Sequence, residues 1–202
     1  MFYEPGARDT AALPHDPFKA FVAPRPIGWV STLGEDGVPN LAPYSFFNAV
    51  ADRPPIVMFS STGMKDSASN AITSGEFVWN LATYPLREQM NLTSASLSHD
   101  ESEFAFAGLT EAPSRIVAPP RVAESPVSLE CRVTQVVQLA DVAGAPVERW
   151  MVLGQVVGVH LDDSFILPDG RVDTIAMRPV LRGGYLDEYT VADNLFRMTR
   201  PH

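Results

Sequence analysis

The chain has 202 residues, a length that fits one domain. Fifteen Lys and Arg against 24 Asp and Glu give a net charge of -9, which disfavours nucleic acid or an anionic membrane as a partner. Apolar residues at 46% and charged residues at 19% exclude a disordered chain, and a lone cysteine, Cys131, excludes an internal disulfide or a multi-thiolate zinc site.

Met1 to Pro14 carries acids and prolines where a signal peptide needs a basic and then an apolar stretch. No run approaches the ~18 apolar residues of a membrane helix, so the expected location is the cytoplasm. Ile27 to Leu33 reads as a first strand. Gly34-Glu-Asp-Gly37 reads as a turn, and Val38 to Asn48 as the returning strand of a hairpin. Pro39 and Pro43 place that return at an edge or a bulge. Pro54-Pro55 breaks the chain, and the apolar run Ile56 to Phe59 predicts a strand covered on both faces.

Met64, Ala68, Ala71 and Ile72 share one face of a helix predicted over Met64 to Ser74. Ser60, Ser61 and Thr62 are its candidate caps and Gly75 its stop. A strand is predicted over Glu76 to Leu81 and a second helix over Pro85 to Leu97. Residues 98 to 125, polar and broken by proline, are expected to run over the surface. Val127, Leu129, Cys131 and Val133 alternate with polar neighbours, which predicts a half-buried strand. After a turn at Ala143-Gly144, Trp150 to Leu161 alternates again, with His160 on the face that carries Gly154 and Gly158. Asp169-Gly170 marks another turn. Strands closed by Gly and Asp turns, with short inserted helices, predict a mainly β, mainly antiparallel barrel.

No dinucleotide fingerprint, phosphate-binding P-loop, zinc-protease motif or nucleophile elbow occurs. The four histidines, at positions 15, 99, 160 and 202, lie far apart, and no metal cluster or catalytic residue stands out. Such a chain either does no chemistry or takes it from a cofactor. Three stretches could receive one. In the first, Ser31, Thr32, Asn40, Ser45 and Asn48 mix with Tyr44, Phe46 and Phe47, which suits a planar ring with a polar rim. An ordinary hairpin over a buried aromatic cluster accounts for the pattern equally. In the second, Ser60 to Ser67 sets three hydroxyls, Gly63 and Lys65 before a helix, where a phosphate would be welcome, although a capped surface helix with no ligand reads the same. In the third, Arg182-Gly-Gly-Tyr185 offers a positive fork and a ring beside permissive backbone, or simply a terminal turn. His160 and Cys131 read as structural, and His99-Asp-Glu with Glu103 as a solvated acidic run.

Taken in order, several segments resemble the flavin reductase-like family of FMN-binding split β-barrel proteins. They are Arg25-Pro-Ile-Gly-Trp-Val-Ser-Thr32, Asn40-Leu-Ala-Pro-Tyr-Ser-Phe-Phe-Asn48, Lys65-Asp-Ser67, Gly75-Glu-Phe-Val-Trp-Asn80, Phe106-Ala-Gly-Leu109, Ser125 to Cys131, Leu153-Gly-Gln-Val156 and Arg182-Gly-Gly-Tyr185. The resemblance runs over about residues 18 to 190 and implies one domain over residues 1 to 202, a Greek-key split β-barrel working as a homodimer, with FMN, or FAD as a variant, in clefts at or near the subunit interface. It sets the flavin ring and ribityl chain against Ser31, Thr32, Ala42, Pro43, Tyr44, Ser45 and Asn48, and the phosphate near Ser60, Ser61, Lys65, Asp66 and Ser67. Arg182 and Tyr185 would close the site, and Ser67 stands where the family usually has Thr. The implied activity is an oxidoreductase that takes hydride from NADH or NADPH and passes electrons to free flavin, a metal chelate or a partner monooxygenase. The alternatives are an FMN electron-transfer protein reduced by another protein, and a barrel that has lost its flavin.

Overall fold

The computed structural model describes residues 1–201, and His202 lies outside the described residues. In chain order the elements are α1 (Phe18–Phe21), β1 (Arg25–Pro26), β2 (Gly28–Leu33), β3 (Pro39–Tyr44), β4 (Phe47–Asp52) and β5 (Pro55–Thr62). Then come α2 (Asp66–Ser74), β6 (Glu76–Asn80), α3 (Arg87–Leu92), α4 (Glu103–Phe106), β7 (Glu111–Ala112) and β8 (Arg121–Val122). The long hairpin β9 (Val127–Ala140) and β10 (Pro146–Leu161) follows, and α5 (Thr174–Met177), β11 (Val180–Arg182) and β12 (Tyr189–Val191) complete the chain.

Seven strands form one antiparallel sheet in the order β3-β2-β6-β9-β10-β5-β4. Its two edges, β3 and β4, are separated in sequence by Ser45 and Phe46 alone, so the sheet must roll over until the edges meet at that bend. The single return strand expected over Val38 to Asn48 is therefore two strands at opposite edges. Arg25 Nε donates to the Ser45 carbonyl at 3.1 Å, and Phe47 stacks on Trp79 with ring centroids 5.5 Å apart. Pro39 and Pro43 sit on an edge strand, as the missing N–H groups require.

β2 shows how the rolled sheet is filled. Val30 joins Tyr44, Phe59, Phe77 and Cys131 on one face, while Trp29 joins Leu41, Phe104 and Val122 on the other. The second cluster needs the 98 to 125 segment, which is not the surface excursion expected. Phe104, Leu109, Val117 and Val122 are buried, and Val122 N–H donates to Asn80 Oδ1 at 3.0 Å. Its apolar residues follow no helical or strand period, so pattern reading has nothing to detect. The same segment covers β9, where Ser128 and Glu130 are as fully buried as Cys131. That strand is covered on both faces along this stretch rather than half-buried.

The helix expected over Met64 to Ser74 opens later, at Asp66, because Lys65 is extended at the N-cap. Ser60, Ser61 and Thr62 belong to β5 and do not cap it. Gly75 ends it at φ 73°, with its N–H on the Ala71 carbonyl. The second helix stops at Leu92, short of Leu97. Thr93 turns its hydroxyl back to the Met90 carbonyl at 2.8 Å and accepts the Trp29 indole N–H at 2.9 Å.

Gly154 lies where a side chain has no room. A Cβ there would stand 2.3 Å from Phe77 Cε1 and 3.1 Å from Cys131 Cβ, both in fully buried side chains. Gly154→Ala is expected to lose about 1–3 kcal/mol by overpacking, read as a lower midpoint in thermal unfolding. An unchanged midpoint would mean that Phe77 is free to move.

Candidate functional site

β3 supplies the wall of the principal cleft. Leu41 N–H faces away from β2 and donates to Glu103 Oε2 at 2.9 Å. Backbone groups alternate sides along an antiparallel strand, so the carbonyls of Leu41 and Pro43 also lie on the free edge. Beside them, the Tyr44 ring packs 4.9 Å from Phe59. Burial pushes the Tyr44 phenol above its ordinary pKa, against the pull of the Ser67 and Ser61 hydroxyls beside it.

The opposite wall is the start of α2. No side chain caps this helix, so its opening amides have no partner of that kind. Lys65 is exposed at the N-cap, and among the described residues no carboxylate pairs with it. The cleft between the two walls measures about 440 Å³. Of the predicted site residues, Ala42, Pro43, Tyr44, Lys65, Asp66 and Ser67 line it.

Two other predicted groups lie elsewhere. Ser45, Arg182 and Tyr185 line a second cleft of about 410 Å³, and Asn48 lines a third of about 380 Å³ with Phe46, Phe47 and Met58. Ser31, Thr32, Ser60 and Ser61 are buried and line none of the three. Ser31 donates to the Pro120 carbonyl at 2.5 Å, and Ser61 to the Gly63 carbonyl at 2.9 Å. Thr32 accepts from Asn40 at 3.4 Å and Asn70 at 3.3 Å, while Asn40 also donates to Ser67 Oγ at 2.7 Å. Through Asn40 and Asn70, the Thr32 and Ser67 hydroxyls tie β2, β3 and α2 together.

Glu103, expected in a solvated acidic run, is buried and lines the principal cleft. Burial pushes its carboxyl up against the pull of the Leu41 amide, and the Asp66 charge adds to the rise. His99 of the same run pairs with Asp66 at 2.9 Å. Thr93, Ser94 and Ser96 also line this cleft, and a polar stretch after a helix carries no signal that would single them out. The His160 imidazole is committed too, with Nε2 2.5 Å from Glu130 Oε1. Burial keeps the Cys131 thiol protonated, its pKa raised further by Glu130. Among the described residues no His, Cys, Asp and Glu group is arranged to hold a metal.

The flavin reductase like domain family matches residues 21–175. The chain belongs to that family. It is 38% identical over 185 residues to the uncharacterized protein BH2278 of Halalkalibacterium halodurans, covering 89% of this chain and 87% of the relative. Among solved structures, nitrilotriacetate monooxygenase component B from Bacillus cereus superposes with a TM-score of 0.87 at 28% identity, covering 98% of each chain. A split-barrel-domain protein from Shewanella frigidimarina superposes at 0.81 with 25% identity, over 91% of this chain and 90% of that one. The flavin reductase-like fold is thus mainly β with short helices, as expected. No described helix is long and apolar enough to cross a membrane.

Proposed function

We propose that this chain binds FMN in the cleft between β3 and α2 and works as an NADH- or NADPH-dependent flavin oxidoreductase. The observation that carries this reading is the pairing of two unlike walls across about 440 Å³. One is a strand edge with unpaired carbonyls and an aromatic face. The other is an uncapped helix start with an unpaired lysine. The first suits a heteroaromatic rim that carries N–H groups, the second a phosphate. Bound flavin would supply hydride acceptance and electron transfer.

The chain's own side chains then have positioning roles. Lys65 and the first amides of α2 hold the anionic tail. Tyr44 shields one side of the ring and stays protonated at neutral pH, since burial raises its pKa. Glu103 fixes the β3 edge through the Leu41 amide. Thr32 and Asn40 tie that edge to α2, so the two walls keep their spacing.

The Bacillus cereus relative is a monooxygenase component, which supports a partner oxygenase as one electron acceptor for this chain. A homodimer is part of the proposal. Val136, Val137 and Val147 are exposed on the outer half of β9 and β10, where a second copy would cover them.

The test is an anaerobic mixing experiment. FMN-loaded protein mixed with NADH or NADPH is expected to lose its visible flavin band within seconds. A band that persists with both donors, and bleaches only with a reduced protein partner, would replace the nicotinamide reaction with electron transfer between proteins.

A further inference from the structure

Arg25 and Arg182 stand directly opposite each other on the antiparallel pair β1 and β11. Like charges in that position repel. Burial and then the Arg182 charge lower the Arg25 pKa. Among the described residues no carboxylate answers this pair, and the ion pairs include neither arginine, nor the neighbouring Lys19. The Arg25 N–H groups go to the carbonyls of Lys19, Val22, Ser45 and Gly183, which satisfies them without cancelling the charge. Arg182 Nη1 donates to Tyr189 Oη at 2.9 Å, and its Nη2 to the Leu186 carbonyl.

All three cations line the second cleft, of about 410 Å³, together with Ser45 and Tyr185. Asp16 is the one carboxylate among its lining residues, and its Oδ1 accepts the Phe18 amide. Glu188, in the same turn as Arg182, accepts the Tyr185 amide at 3.0 Å. A chain of net charge -9 thus gathers three unpaired cations on one cleft. The principal cleft has Lys65 against Asp66 and Glu103. The two clefts share no lining residue, and the consecutive residues Tyr44 and Ser45 line one each.

We infer that the cleft of Lys19, Arg25 and Arg182 binds the diphosphate of the dinucleotide electron donor, at a site distinct from the flavin cleft. This rests on the nicotinamide reading above. Fixed, unpaired guanidinium charges suit a diphosphate. Arg25 gives the field while Lys19, which is exposed, and Arg182 make contact.

The test is calorimetric titration of the full chain with ADP-ribose, which carries the diphosphate and no nicotinamide. Wild type is expected to bind it, and Lys19→Gln and Arg182→Gln to bind it about tenfold or more weakly. FMN affinity should be unchanged in both variants. So should reduction of the FMN-loaded protein by a phosphate-free N-benzyl dihydronicotinamide. Lys19→Gln alters only an exposed side chain, so it keeps the test open if Arg182→Gln misfolds. Absent ADP-ribose binding, or binding that Lys19→Gln leaves intact, overturns the inference. A parallel fall in FMN affinity also overturns it, by giving the cleft to the flavin phosphate. ADP-ribose binding that depends on Lys19, with no bleaching by any dihydronicotinamide, would sustain the anion cleft and defeat the nicotinamide reaction.

Discussion

Glu130→Ala is expected to lower the unfolding free energy by about 3 kcal/mol or more, because it removes a buried carboxylate that several buried and partly buried donors share. Glu130 Oε1 accepts Arg115 N–H at 2.8 Å and faces His160 Nε2, while Oε2 accepts Ile116 N–H at 2.6 Å and Val117 N–H at 3.0 Å. The next amide, Ala118 N–H, goes to Glu76 Oε2 at 2.9 Å. Four consecutive amides are thus held by two carboxylates, and they fasten the segment that covers β9 and β2. Burial alone would raise the Glu130 pKa. The His160 ring and the three amides outweigh it and hold the group down from 4.5 to about 2. A pKa lowered in the folded state gives stability that is complete above 4.5 and is lost as pH falls toward about 2. Urea unfolding across that window checks both parts. Wild type should lose stability there, and Glu130→Gln should lack this component and start from a lower value. Identical pH profiles would show that the amides find other partners.

Lys65→Ala is expected to weaken FMN binding by about 100-fold, more than one charge-assisted hydrogen bond would suggest. The reason is what the lysine leaves behind. Asp66 and Glu103 line the same cleft, so without Lys65 the phosphate would meet carboxylates with only helix amides to oppose them. Asp66 is partly answered by His99 at 2.9 Å, which sets a limit to the repulsion. The substituted side chain is exposed, so folding should be unaffected. Quenching of flavin fluorescence measures the change. A loss of only a few-fold would place the phosphate away from α2.

Much of the barrel can be read from local signals. Strand periods, the Asp-Gly turns and the Gly75 stop are short-range features, and they mark β2, β5 and β6 to within a few residues, together with the start of β9 and the end of β10. The bend at Ser45–Phe46 was not legible. It depends on Arg25 reaching across from another part of the chain. The burial of Glu130 and Glu103 was hidden for the same reason. A carboxylate that alternates with Cys131, or follows an acidic run, looks solvated until a distant segment delivers amides to it. For the candidate site, Ala42 to Tyr44 and Lys65 to Ser67 could be grouped from sequence, because one strand and one helix start carry them. The division of Arg182 and Tyr185 into a separate cleft could not, since it follows from pairing β1 with β11 across most of the chain.

Paired titrations of flavin-free protein with FMN and with riboflavin bear most directly on the cleft between β3 and α2. If that cleft grips a flavin by its phosphate, wild type binds FMN at least about tenfold more tightly than riboflavin, and Lys65→Ala removes the difference. Equal affinities in wild type, or a preference for FMN that survives Lys65→Ala, would contradict it.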